Sequence, residues 1–111
     1  MKIVHITTGA DGESHINIQA PEFTERGQTR TALQAAQSVS FMKREMGFID
    51  FHPAPQKQYM LYLTARVEIG LGDGSSVIME PGDVLLAEDT TGRGHTSRVL
   101  QAGVCAVVPW A

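Results

Sequence analysis

The sequence predicts a single all-β domain, and two observations carry that prediction. Eleven glycines and five prolines break the chain into short runs rich in Val, Ile, Leu and Tyr, which is the punctuation of a sandwich or barrel. Gly72-Asp73-Gly74 lies between two such runs, where Asp-Gly accepts the positive φ of a tight hairpin turn. At 111 residues and 42% hydrophobic, residues 1–111 make one domain with apolar material enough for its own core.

Taken in order, Lys2 to Thr7 reads as the first strand, Gly9-Ala10-Asp11-Gly12 as a turn, and His15 to Gln19 as a second short strand. Residues 21–37 are polar, with Gly27 inside, and are the least strand-like part. Arg30 to Ala36 has the composition of a brief helical turn, and the sequence leaves lid, helix and exchanged dimer arm all open for this segment. Val39 to Arg44 and Phe48 to Phe51 read as strands flanking a Glu45-Met46-Gly47 turn. Tyr59 to Gly70 is the longest strand candidate, and Ser75 to Met79 is its hairpin partner. Pro81-Gly82-Asp83 turns the chain into a buried run, Val84 to Ala87. A polar loop, Asp89 to Gly94, leads to the last strands, His95 to Leu100 and Val104 to Val108.

The charge balance excludes some classes. The net charge is -3 and the nine Lys and Arg are scattered, which argues against a nucleic-acid surface, since phosphate neutralisation supplies most of that affinity. No apolar run is long enough to span a membrane. The start, Met1-Lys2-Ile3-Val4-His5, lacks a signal-peptide pattern, so a cytoplasmic location is expected. Cys105 is the only cysteine, so an intrachain disulfide is impossible. Its apolar neighbours predict a buried, inert thiol.

Two spaced motifs carry the chemistry. The first is His52-Pro53-Ala54-Pro55-Gln56-Lys57-Gln58, followed at a distance by Ala65. The second is Pro81-Gly82-Asp83, a short apolar run, then Gly92-Arg93-Gly94-His95. Together they resemble the cupin family, over about residues 47–65 and 82–99. The resemblance implies a double-stranded β-helix, the cupin jelly-roll barrel, and a divalent metal held by His and Glu side chains. His52 takes the place of the first motif's leading His, His95 that of the second motif's His, and Gly82 that of its opening Gly. Ala54, Gln58 and Ala65 stand where the family has a second His, a Glu and a closing Gly. Glu88 stands where Pro is expected, and Val99 where Asn is. On this resemblance His52 and His95 are the metal ligands, with Gln58 as a third, weaker, neutral donor. The cofactor is then a divalent transition metal (Mn, Fe, Ni, Cu or Zn) or none, because a catalytic centre usually has three protein ligands.

Alternation along strands extends the site. If His52 points inward, Asp50 and Phe48 share its face. If Gln58 does, Met60, Tyr62 and Thr64 follow. Ser97 follows His95. A small barrel encloses room for one ligand, so Gln58, Met60, Tyr62 and Ser97 are the candidate substrate-binding residues. Asp50 and Glu88 are the candidate bases, as an Asp50–His52 or Glu88–His95 pair, with Asp89 near the rim. The plainer alternative makes both histidines neutral, hydrogen-bonded lining, and Glu88-Asp89-Thr90-Thr91 a loop cap. Arg93 is either a carboxylate clamp or an ordinary surface arginine. His5 and His15 are expected at strand edges or an interface. Ser97 lacks a nucleophile elbow, which argues against a hydrolase triad.

Two functions compete on this reading. One is an enzyme of isomerase, lyase or oxygenase type acting on a small molecule. The other is a non-catalytic metabolite-binding or sensing barrel that has lost its metal. The resemblance also implies a homodimer formed through exposed β-edges, with Trp110 as a candidate contact.

Overall fold

The computed structural model describes residues 1–111. It contains ten strands and no helix. They are β1 (Ile3–Thr8), β2 (Ser14–Gln19), β3 (Ser40–Arg44), β4 (Gly47–His52), β5 (Gln58–Tyr62), β6 (Arg66–Gly70), β7 (Ser76–Met79), β8 (Val84–Glu88), β9 (His95–Gln101) and β10 (Gly103–Pro109). They form two sheets, a six-stranded one in the order β2-β1-β8-β5-β10-β3 and a four-stranded one in the order β4-β9-β6-β7. No ladder joins the two sheets, so they do not close into a barrel.

The pairings are nested around one hairpin. β6 pairs with β7, β5 with β8, β4 with β9 and β3 with β10, all antiparallel. The central hairpin is the predicted one: Leu71 N–H donates to the Ser75 carbonyl, and Gly74 has φ +87°. The β1–β2 hairpin is added through a parallel β1–β8 ladder. Asp83 anchors that ladder by accepting hydrogen bonds from the Lys2 backbone and side chain and from the Glu80 N–H.

The core lies between the sheets. Val4, Ile6, Tyr62 and Leu85 come from the larger sheet, and Val67, Ile69, Met79 and Val99 from the smaller one. Each fully buried aliphatic or aromatic side chain contributes about 1.5–3 kcal/mol of transfer free energy. β8 is buried from Val84 to Ala87, which its unbroken apolar run required. Leu85 and Ala87 face the core. Val84, on the opposite face, lines a groove of about 570 Å3 with Tyr59, Leu61, Ala20 to Glu22 and Thr31 to Gln34.

Two expectations about elements need correction. Tyr59 to Gly70 is not one strand. It breaks at Leu63-Thr64-Ala65, where the chain leaves the large sheet for the small one. The break is held from outside: Leu63 and Thr64 N–H both donate to the Val104 carbonyl, and the Thr64 hydroxyl accepts from Val104 N–H. Arg30 to Ala36 forms no helical turn. Residues 20–39 instead hold a turn at Arg26–Thr29 closed by a Glu25–Arg30 bridge, and an Ala36–Trp110 bridge ties the segment to the end of the chain, with Leu33 94% exposed. Such a polar stretch has too little apolar surface to hold a helix against the sheet.

Candidate functional site

Between the sheets lies a cavity of about 240 Å3, well above the roughly 10–15 Å3 that a single water needs on the same measure. Both sheets wall it. β3 supplies Met42 and Arg44, β5 supplies Gln58, Met60 and Tyr62, β4 supplies Ile49 and His52, and β9 supplies His95 and Ser97. All four candidate substrate-binding residues, Gln58, Met60, Tyr62 and Ser97, therefore line one cavity together with both motif histidines.

His52 and His95 stand opposite each other on the β4–β9 ladder. Their ring centroids are 4.8 Å apart. The close approach depends on Gly94, whose φ is +81° and whose backbone lies directly against the His52 carbonyl. Both tautomers follow from the partners. His52 Nδ1 lies 2.8 Å from the Asp50 backbone carbonyl, which only accepts, so Nδ1 carries the hydrogen. His95 Nδ1 lies 2.6 Å from Asp89 Oδ2, and a carboxylate likewise accepts. In the neutral ring Nε2 is then the acceptor nitrogen, and in neither histidine does it have a hydrogen-bond partner in the chain.

The Asp89–His95 pair is the most deeply built polar feature of the molecule. Asp89 is 0% exposed and His95 6%. Asp89 Oδ2 also accepts from the Ser14 hydroxyl at 2.7 Å, and Oδ1 is buried without a partner. The Asp89 carbonyl accepts from Ala54 N–H at 2.9 Å, tying the loop to the first motif. A buried carboxylate behind an imidazole fixes its orientation and stabilises the imidazolium formed when Nε2 takes a proton.

Neither candidate base lines the cavity. β4 pairs with β9 through Ile49 and Ser97, then through His52 and His95, so it carries one extra residue between those pairs. This bulge breaks the alternation. Ile49, itself half exposed, and His52 both line the cavity, while Asp50 does not and its Oδ1 accepts from the Phe51 N–H. Glu88 is engaged at 2.8 Å by His5 Nε2 and at 3.2 Å by Lys57 Nζ. The His5 hydrogen bond, with help from Lys57 and against partial burial, holds its carboxyl below the usual value. His5 is thus a partner of Glu88 on β1, an internal strand of the sheet, and not an edge residue. Arg93 is not a clamp in the cavity either. Its guanidinium stacks 3.9 Å from the Phe51 ring and lies 3.5 Å from Glu13.

Sequence reasoning missed Ser14 and Arg44. Arg44 Nη2 donates to Ser97 Oγ at 2.7 Å, across from one sheet to the other. The Tyr62 phenol is 1% exposed and its hydroxyl has no partner. Burial pushes its pKa far above the ordinary value, Cys105 adds to the rise, and Arg44 opposes it.

The donor set does not fit a resident divalent metal. Two imidazoles with tied Nδ1 hydrogens are suitable ligands. Yet no third His, Cys, Asp or Glu joins them, Gln58 offers only a neutral amide, and the Arg44 guanidinium shares the cavity. Catalytic centres use three protein ligands, and a fixed cation beside the site opposes a second one. No protein-family model and no curated protein matches this chain.

Proposed function

We propose that this chain is a small-molecule acid–base protein of cupin type, in which His95, oriented by Asp89, moves a proton without a resident metal. His95 in the cavity wall, with the buried Asp89 behind it, carries the reading. The nested pairing of β3–β10, β4–β9, β5–β8 and β6–β7 supports the jelly-roll assignment, since such a roll is a long hairpin folded over on itself. His95 Nε2 takes a proton from a carbon acid and returns it at another position, or to a leaving group. The reaction is then an isomerisation or an elimination. Gln58, Ser97 and the free Nε2 of His52 orient the substrate through hydrogen bonds. Asp89 is a positioning residue, because it contacts His95 and not the cavity.

The test is exchange in D2O. A panel of small oxo acids and ketones is incubated with the protein and followed by proton NMR. Deuterium uptake at carbon is expected with wild type and is expected to fall by about 10²-fold or more in His95→Gln. Uptake equal in His95→Gln would sink the assignment. Chelator treatment is expected to leave the rate unchanged. A rate lost with chelator and restored by Mn, Fe, Ni, Cu or Zn would refute metal-free chemistry. Binding of panel members without exchange would favour the sensing barrel.

A further inference from the structure

The cavity holds a permanent positive charge that nothing in the chain neutralises. Arg44 is half-buried on β3, and its side chain lines the cavity. It takes part in none of the chain's ion pairs. None of the twelve acidic residues lines the cavity, and Asp89 is occupied behind His95. A guanidinium has five N–H donors. Here one is used on Ser97 Oγ, and another reaches only the Met60 sulfur at 3.9 Å. Its other neighbours in the wall include Met42 and Ile49, which offer no acceptor. Half-buried, the guanidinium keeps its remaining donors open to water or to an arriving counter-charge.

The chain as a whole is acidic, at net charge -3, so a cation kept free of acids is a local feature and not a consequence of excess base. The guanidinium fork matches a carboxylate bidentately. The volume of about 240 Å3 sits below the range of roughly 300–1,000 Å3 used by drug-sized ligands, and one arginine answers one negative charge. We infer that the cavity takes a small monocarboxylate, held by Arg44 through a bidentate ion pair, with its reactive carbon presented to the two histidines. This deepens the acid–base reading and rests on the same cavity being the substrate site. It adds the substrate class and gives Arg44 the specificity-determining role.

The experiment compares carboxylates with their neutral isosteres. Butyrate and benzoate, and butanamide and benzamide, are titrated into labelled protein at constant ionic strength, up to about 50 mM, which is adequate for fragment-sized ligands. Binding is read from amide and arginine NMR shifts. Both carboxylates are expected to saturate and to move Arg44, Ser97 and Gln58 signals, with each amide at least tenfold weaker, roughly the weight of a bidentate charged contact. Arg44→Gln is expected to erase the preference, and Arg44→Lys, which keeps the charge but loses the fork, to retain part of it. Equal binding of acid and amide by wild type overturns the inference, as does failure of both carboxylates to saturate. Neither comparison depends on a variant folding. His95→Gln separates the two claims. It stops proton transfer under the proposed function but leaves the carboxylate preference standing. A preference lost in His95→Gln and kept in Arg44→Gln would overturn the Arg44 assignment without touching the acid–base reading.

Discussion

Replacing Gly94 with Ala tests how the two histidines are brought together. A Cβ at that position would lie 2.0 Å from the His52 carbonyl oxygen, 2.1 Å from its carbon and 2.4 Å from Pro53 N. All are backbone atoms, so no side chain can swing away. A shift of about 1.4 Å or more is needed to reach ordinary contact, and it must open the β4–β9 ladder where His52 pairs with His95. The left-handed φ adds about 1–2 kcal/mol for a residue with a Cβ, and about two disrupted ladder hydrogen bonds add roughly 1 kcal/mol each. The total is about 3–4 kcal/mol, or a fall in Tm of roughly 12–16 °C for a domain of this size. Urea unfolding should show a lower midpoint at unchanged m. Gly74→Ala is the matched control: its φ is +87°, but nothing lies within 4 Å of the added Cβ, so only the conformational cost of about 1–2 kcal/mol applies. If Gly94→Ala proves no more destabilising than Gly74→Ala, the close-approach argument is wrong.

Three further outcomes follow from other groups. Burial opposes the charge on Asp83, yet hydrogen bonds from the Lys2 side chain and backbone and from Glu80 N–H outweigh it and hold its pKa below the ordinary value. The stability it adds is therefore complete above the unfolded pKa and is lost as pH falls through the lower folded value. Asp83→Asn should cost about 1–3 kcal/mol at neutral pH and flatten the acid limb of the unfolding curve, and an unchanged acid limb would contradict this. Tyr62→Phe removes a buried hydroxyl with no partner, so thermal unfolding should show no loss and a gain of up to about 1 kcal/mol. A loss above that size would reveal a partner for the hydroxyl. Cys105 is 0% exposed, and burial raises its thiol pKa despite Arg44. Ellman's reagent should therefore leave it unlabelled in the native protein and react only as fast as the chain unfolds; rapid native labelling would contradict the burial.

Much of the fold was legible because strand chemistry is local. The hairpin at Gly72-Asp73-Gly74, the turn before Val84 and the inward set Gln58, Met60 and Tyr62 are all read from period and turn residues. The misreadings arise where tertiary contacts override local pattern. Nothing between Tyr59 and Gly70 announces that Val104 will hold the break at Leu63-Thr64-Ala65. The bulge in β4 is equally silent, and it sets Ile49 beside His52 at the cavity and leaves Asp50 out of it. In the site, the histidines stood out by their motif spacing, and the Glu88-Asp89 loop was recognised as their neighbourhood. Choosing Asp89 over Glu88 required seeing that Glu88 is engaged by His5 and Lys57 on the other face of the ladder. Ser14 and Arg44 had no local signal at all. They lie in sequence far from their partners, Asp89 and Ser97, and alternation along Ser40–Arg44 places Arg44 on the Met42 face without saying that this face lines a cavity.

The position of Arg44 in the sheet order has a consequence for how a ligand would be felt. β3 ends the six-stranded sheet, with β10 as its one ladder partner and the Arg44–Ser97 hydrogen bond as its link to β9. End strands open more readily than internal ones, and their amides exchange hydrogen sooner. A molecule bound to Arg44 and Ser97 would reinforce that single link between the marginal strand and the opposite sheet. Whatever fraction of the time β3 is undocked weakens the apparent affinity by the same fraction, and by reciprocity an occupied cavity must slow exchange along Ser40–Arg44 more than along β8 or β5. Occupancy would then be readable as protection at the sheet's margin, several residues from any group that does chemistry.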